Sequence, residues 1–239
     1  MFSLLPWLVE KLGFSAKFAE HYLHVMTSGV VAIIITVLSV IVWRKLRNTE
    51  ANLIPEKAPS VVGVIAFAAE GILGLMRSIM GERADRYFPL IGSLFLYILI
   101  SNLLGAIPGM VPPTDNINTN LACAAVVFVY YNVMGIREQG LKNYLKHLGG
   151  PIIWLAPLMF TIELISHLVR PASLSIRLFG NITGDHLVLE MFSSLVPVAV
   201  PVIFLGLTVF VAFIQAFVFS LLSTVYIALA TEHAEHEEH

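Results

Sequence analysis

Leu164-Ile165-Ser166-His167-Leu168-Val169-Arg170-Pro171-Ala172-Ser173-Leu174-Ser175-Ile176-Arg177-Leu178-Phe179-Gly180-Asn181 runs through the apolar C-terminal third of the chain. Within it, Arg177 stands where an arginine is least welcome. An ionisable side chain at bilayer depth costs at least about 2.5–3.5 kcal/mol on insertion scales, so it reads as functional and needs a partner. Arginine also cannot shed its proton to escape that cost.

The rest of the chain agrees with a bilayer setting. Of its 239 residues, 57% are apolar and 13% charged, against roughly 25% charged in ordinary soluble domains. Mean hydropathy is +0.83. The expected fold class is an all-α integral membrane protein, with its polar residues judged against lipid rather than water. The single cysteine, Cys123, gives neither a disulfide framework nor a cysteine metal site. Glu10, Lys11, Lys17 and Glu20 interrupt the first twenty residues, unlike the pattern of a cleaved signal peptide. No nucleotide loop, catalytic triad, cofactor motif or nucleic-acid motif is visible, so catalysis by this chain alone is not expected.

A spanning length of about 20 residues predicts five membrane passes: roughly Tyr22 to Trp43, Phe88 to Ile107, Leu121 to Ile136, Leu158 to Leu195, and a last one ending near Ala230. Ten of the fourteen Lys and Arg fall in residues 44–87 and 137–150, while 109–120 and 195–201 contain none. The positive-inside rule makes the two basic connections cytoplasmic, with the N-terminus outside and the acidic C-terminus inside. Residues 61–80 tempt a sixth pass, but Glu70, Arg77 and several glycines interrupt them. Spanning there would separate the basic connections, so they read as a helix lying on the cytoplasmic interface. Residues 1–60 then comprise an external segment, the first pass and a cytoplasmic linker. Residues 61–239 are expected to form the main membrane unit.

The fourth pass is too long to stand upright: about 55 Å against about 30 Å of hydrocarbon. It either lies obliquely, making a long hairpin with the last pass, or breaks, with Pro171 the first kink site. At 100° per residue, Glu163, Ser166, Arg170, Ser173, Arg177, Asn181 and Gly184 project within about 40° of Arg177. His186 projects to the other side, with Glu190 one turn on. These groups read either as a buried ion-pair network between helices or as a path for protons. Arg170 can also snorkel to the headgroups. Gln215 in the last pass needs a hydrogen-bonding partner, for which the other long polar helix is the natural source. Asp115, with Asn116 and Asn118, reads either as a carboxylate at an outer mouth or as a helix N-cap.

Ser173-Leu174-Ser175-Ile176-Arg177-Leu178-Phe179-Gly180-Asn181 closely resembles the signature of subunit a of the rotary F-type ATP synthase. Gln215-Ala216-Phe217-Val218-Phe219, Ser101-Asn102-Leu103-Leu104-Gly105-Ala106-Ile107-Pro108-Gly109 and the Thr114 to Thr119 connection resemble its other recurring segments. The resemblance covers residue 60 to the end. It implies a stator subunit of a bacterial plasma membrane complex, set against a ring of c subunits, with peripheral-stalk b subunits and other synthase subunits as partners. Protons would reach each ring carboxylate by one half-channel and leave by an offset second one. Arg177 matches the essential arginine of the family and Glu163 a carboxylate of the cytoplasmic half-channel. Asn181, His186 and Gln215 match positions near the arginine or on the outer path. One departure stands out: members with this histidine often carry a carboxylate where this chain has Thr208, and Glu190 is expected to serve instead. The rival reading is a self-contained ion channel or secondary transporter. Such folds commonly contain internal repeats, and no second copy of the polar segment is present.

Overall fold

The computed structural model of the chain describes residues 22–47, 61–107, 110–141, 144, 156–193 and 199–231. Among these residues the chain forms six α-helices: α1 Leu23–Leu46, α2 Val61–Met80, α3 Ala84–Leu104, α4 Ile117–Gln139, α5 Ala156–Ser193 and α6 Ala199–Thr231. Short 3-10 turns at Gly81–Arg83 and Pro113–Asp115 precede α3 and α4. No strand occurs among the described residues.

Each long helix hides one stripe and turns the rest outward. On α3 the buried positions are Ala84, Tyr87, Ile91, Phe95 and Ile98; on α4 they are Cys123, Ala124, Val127 and Tyr131. Steps of three and four place such residues on one helical face. They meet Leu174, Leu178 and Ile182 of α5, and Ala216, Phe219 and Ile227 of α6. The buried face of α6 is also rich in small polar residues, Ser220, Ser223 and Thr224. Small side chains let helix backbones approach closely in lipid, where no hydrophobic drive exists between helices.

α1 stays at the margin. Only 11% of its most apolar window is buried, and Ile33, Val37, Val40 and Ile41 face outward. An apolar surface of this kind is stable only in lipid or against another apolar partner.

Among the described residues, four helical stretches are long and apolar enough to cross a membrane: Leu23–Lys45, Val62–Leu104, Ile117–Gln139 and Ile203–Thr231. α5 is absent from that set because Glu163, Arg170, Arg177, Asp185 and Glu190 dilute its hydropathy. Its 38 residues nonetheless measure about 57 Å at 1.5 Å per residue. α5 runs without interruption through Pro171, so the break foreseen as one option at that residue does not occur. Proline frees one upstream carbonyl, a loss that neighbouring helices and side chains can absorb in a membrane bundle. Here Leu174 and Leu178 lock the following turn into the core.

Residues 61–80 form a helix of their own, separated from α3 by a turn at Gly81. There φ is +64°, a backbone region that side chains with a Cβ avoid. Arg77 closes that corner on Asp85, donating from Nε at 3.1 Å and from its terminal nitrogen at 2.9 Å. Both side chains are more than half exposed, so the pair contributes little to stability. At the same end of the bundle, Glu138 accepts from Arg86 at 2.9 Å and from the Tyr87 hydroxyl at 2.5 Å. Gln139 Nε2 donates to the Ala230 carbonyl at 2.9 Å. Arg77, Arg83 and Arg86, three of the basic residues before α3 and in its first turn, thus gather at this corner of the bundle.

Gly135 sits at a close helix crossing. A Cβ there would stand 2.9 Å from the Tyr144 ring and 3.0 Å from the Ala230 carbonyl oxygen. Gly135→Ala must therefore displace Tyr144 and press on the α6 backbone. We expect a loss of about 1–3 kcal/mol, the usual range for overpacking, read by unfolding in mixed detergent micelles.

Candidate functional site

The polar residues of α5 sort into three groups with different partners. The first joins α5 to α6 and, through Tyr144, to Asn132 of α4. Arg170 approaches Glu163 Oε1 at 3.4 Å, and its guanidinium lies 5.4 Å from the centre of the Tyr226 ring on α6. His167 Nδ1 stands 3.4 Å from the same Oε1, and its other nitrogen, Nε2, is 3.1 Å from the Tyr144 hydroxyl. Tyr144 donates in turn to Asn132 Oδ1 at 2.7 Å. Sequence reading singled out Glu163 and Arg170 here but missed His167, Tyr144 and Asn132. The stretch shows His167 plainly. Its partners from α4 and beyond are visible only in the fold.

The second group is Arg177 itself. Leu174, Ser175, Leu178 and Ile182 form the buried face of α5, whereas Ile176, Arg177, Gly180 and Asn181 lie on its exposed side. Ser173, one turn earlier, is half-buried. Among the described residues Arg177 forms no hydrogen bond or ion pair. A guanidinium with five donors is thereby presented outward from a membrane helix.

The third group joins α5 to α6 and to the connection before α4. Asn181 Nδ2 donates to Gln215 Oε1 at 2.7 Å, so the amide of the last helix meets the other long helix. Gln215 is only 4% exposed, and an unbonded amide so placed would cost about 1–3 kcal/mol. Beside this bond lies a cavity of about 20 Å³ lined by Asn102, Asn181, Asp185, Thr208 and Gln215, among others. That volume can admit one water, for which about 10–15 Å³ suffices. Thr183 Oγ1, two residues before Asp185, reaches Asp115 Oδ1 at 3.5 Å.

The two open readings of Asp115 separate at this point. The N-cap of α4 is Asn116, whose side chain accepts from the Asn118 amide at 2.9 Å. Asp115 closes the preceding turn and faces α5 instead. The turn is pinned from inside: Thr114 Oγ1 donates to Asn102 Oδ1, and Asn120 Nδ2 to the Thr114 carbonyl, both at 2.8 Å. These three residues are at most 4% exposed. His186 and Glu190 belong to the last turns of α5, but their side chains lie outside the described residues. Asp185, which sequence analysis did not single out, lines this cavity together with Thr208. No cluster of metal-ligating side chains occurs among the described residues.

The family model for the ATP synthase A chain matches residues 25–228. Similar proteins include ATP synthase subunit a of Bdellovibrio bacteriovorus, 44% identical over 90% of this chain and 93% of its own length. ATP synthase subunit a of Trichlorobacter lovleyi is 45% identical over 93% of this chain and 96% of its own. ATP synthase subunit a 2 of Syntrophotalea carbinolica is 44% identical over 98% of both.

Proposed function

The chain belongs to the ATP synthase A chain family, and on that premise we propose that it is the stator of a proton-driven rotary motor. In this reading it faces a ring of c subunits and sits with the peripheral-stalk b subunits in a bacterial plasma membrane. Its N-terminus is outside and its C-terminus cytoplasmic, as the positive-inside rule favours. Protons pass to and from the ring carboxylates through two offset half-paths, and their flow turns the ring.

The observation that carries this reading is the outward-facing Arg177. Its own chain supplies no anion among the described residues, so the anion must come from outside. A ring carboxylate arriving beside a fixed cation is driven to release its proton. Arginine holds its charge throughout, so it cannot relay that proton, and it repels any cation attempting to cross directly between the half-paths.

The cytoplasmic half-path runs along Glu163 and Ser173 toward Arg177. The outer one uses Asp115, the Asn181–Gln215 pair, His186 and Glu190. To these we add Asp185, since it supplies a carboxylate opposite Thr208.

The test is cysteine crosslinking in the assembled complex. Cysteines at the exposed positions 169, 176 and 180 are expected to capture a small two-helix proteolipid carrying a mid-helix carboxylate. Cysteines at the buried positions 178 and 182 are expected to capture none. No adduct from the exposed series would overturn the assignment of this face to the ring.

A further inference from the structure

His167 is fixed in one ring tautomer by a chain of hydrogen bonds whose direction admits no alternative. Asn132 Nδ2 donates to the Phe128 carbonyl at 2.7 Å, so the Asn132 atom facing Tyr144 is the oxygen Oδ1. That oxygen can only accept, which obliges the Tyr144 hydroxyl to donate to it at 2.7 Å. The Tyr144 oxygen is then left as an acceptor toward His167 Nε2 at 3.1 Å. The proton of a neutral His167 therefore resides on Nε2, and Nδ1 carries a lone pair. Yet Nδ1 stands 3.4 Å from Glu163 Oε1, and an ionised carboxylate is also acceptor-only. Nδ1 is buried and has no hydrogen-bond partner. Two acceptors stand side by side, and one added proton allows a hydrogen bond between them.

We propose that the Glu163–His167 pair is a one-proton store at the cytoplasmic mouth of the path to Arg177. This rests on the functional reading above and assigns His167 and Tyr144 roles within it. When the pair is loaded, the proton sits on Oε1 and is donated to Nδ1, or on Nδ1 and is donated to the carboxylate. Emptying the pair returns one proton and leaves a carboxylate beside a neutral imidazole. The net charge of the pair changes from 0 to −1.

Arg170 opposes loading, because its guanidinium stands 3.4 Å from the same Oε1. It stays charged in both states and so favours release. The other groups packed around His167 are Tyr131, whose ring meets the imidazole edge-on at 5.7 Å, and Tyr144. Tyr226 contacts Arg170 from the α6 side. These neighbours are phenols rather than carboxylates or amines. Glu163 is the more exposed partner, with 37% of its side chain accessible against 14% for His167. Protons thus reach the pair through the carboxylate. Tyr144 acts as a positioning residue: it touches no transferred proton but decides which nitrogen is free.

The experiment uses the whole synthase reconstituted in vesicles, with ATP-driven pumping recorded while pH on the cytoplasmic side is varied. In His167→Gln an amide donor permanently satisfies the Glu163 carboxylate and stores no proton. The alkaline limb of the pumping profile is expected to move down by about one pH unit, as loss of one favourable interaction with the protonated state requires. Tyr144→Phe removes the acceptor that holds the tautomer. A proton on Nδ1 can then satisfy Glu163 without loading, and the limb moves the same way.

A structural role alone would lower the rate at every pH and leave the limb where it was. Nitrogen-15 spectra of the labelled complex give an independent readout, with the neutral imidazole expected to be protonated on Nε2. A proton on Nδ1, or profiles unmoved in both variants, overturns the proposal. Arg177→Ala separates the two levels: pumping retained there defeats the functional reading itself. Pumping lost there, with unmoved profiles in the other two variants, defeats only the proton store.

Discussion

Arg177→Ala is expected to abolish ATP-driven proton pumping by the complex in vesicles, while ATP hydrolysis by the detached catalytic sector continues. Alanine removes a guanidinium that stands on the exposed side of α5 and forms no hydrogen bond or ion pair among the described residues. Little folding stability is therefore at stake, and the variant should assemble. What disappears is a charge that cannot be neutralised. On the proposed motor reading, without it a ring carboxylate would keep its proton on passing the stator, and a cation could cross between the half-paths. Arg177→Lys makes a sharper comparison. It retains a positive charge but loses the planar fork and can give up its proton more readily. It should lie below the natural chain in coupled pumping. Coupled pumping by the alanine variant at ordinary rates would sink the motor reading.

How far the sequence reached depends on what each residue needed. The class of fold follows from composition and spacing, because a bilayer demands about 20 apolar residues per pass and the chain supplies them in discrete blocks. The second pass was placed from Phe88, yet α3 begins at Ala84. Its first turn holds Asp85 and Arg86, whose partners Arg77 and Glu138 belong to other helices. The third pass was placed from Leu121, yet α4 begins at Ile117. Asp115, Asn116 and Asn118 are all competent caps by type, and only the local backbone selects Asn116.

The single polar stripe drawn along α5 also divides. Glu163 and Arg170 meet each other, Arg177 faces outward, and Asn181 crosses to Gln215. A helical projection gives the angle of each side chain but not what stands opposite. For the same reason His167 passed unnoticed. Its partner Tyr144 lies 23 residues earlier in the chain, and Asn132 lies on α4. The close approach at Gly135 leaves no trace in hydropathy at all.

In the outer path proposed above, Asp185→Asn is the substitution with the largest expected effect. The cavity beside the Asn181–Gln215 bond is lined by Asn102, Thr208 and Asp185 among others, and among the described residues Asp185 is the one ionisable side chain in that lining. Amides and a threonine hydroxyl can hold a water and orient it, but they do not ionise to pass a proton on. A carboxylate can. Asp185 lines the same cavity as Thr208, the position where relatives with a histidine at 186 were expected to carry their acid. The substitution is nearly isosteric and should leave the bundle intact. We expect proton conductance in vesicles stripped of the catalytic sector to fall about a hundredfold, the lower end of what a positioned proton-transfer group contributes. Returning a carboxylate from the opposite wall, as Asp185→Asn with Thr208→Asp, should restore much of the flow, because both positions line the same water-sized space. Rescue would distinguish loss of a titratable group from damage to the fold, which a second substitution has no reason to repair. Undiminished conductance in Asp185→Asn would instead move the outer acid beyond this cavity, toward Glu190 in the last turns of α5.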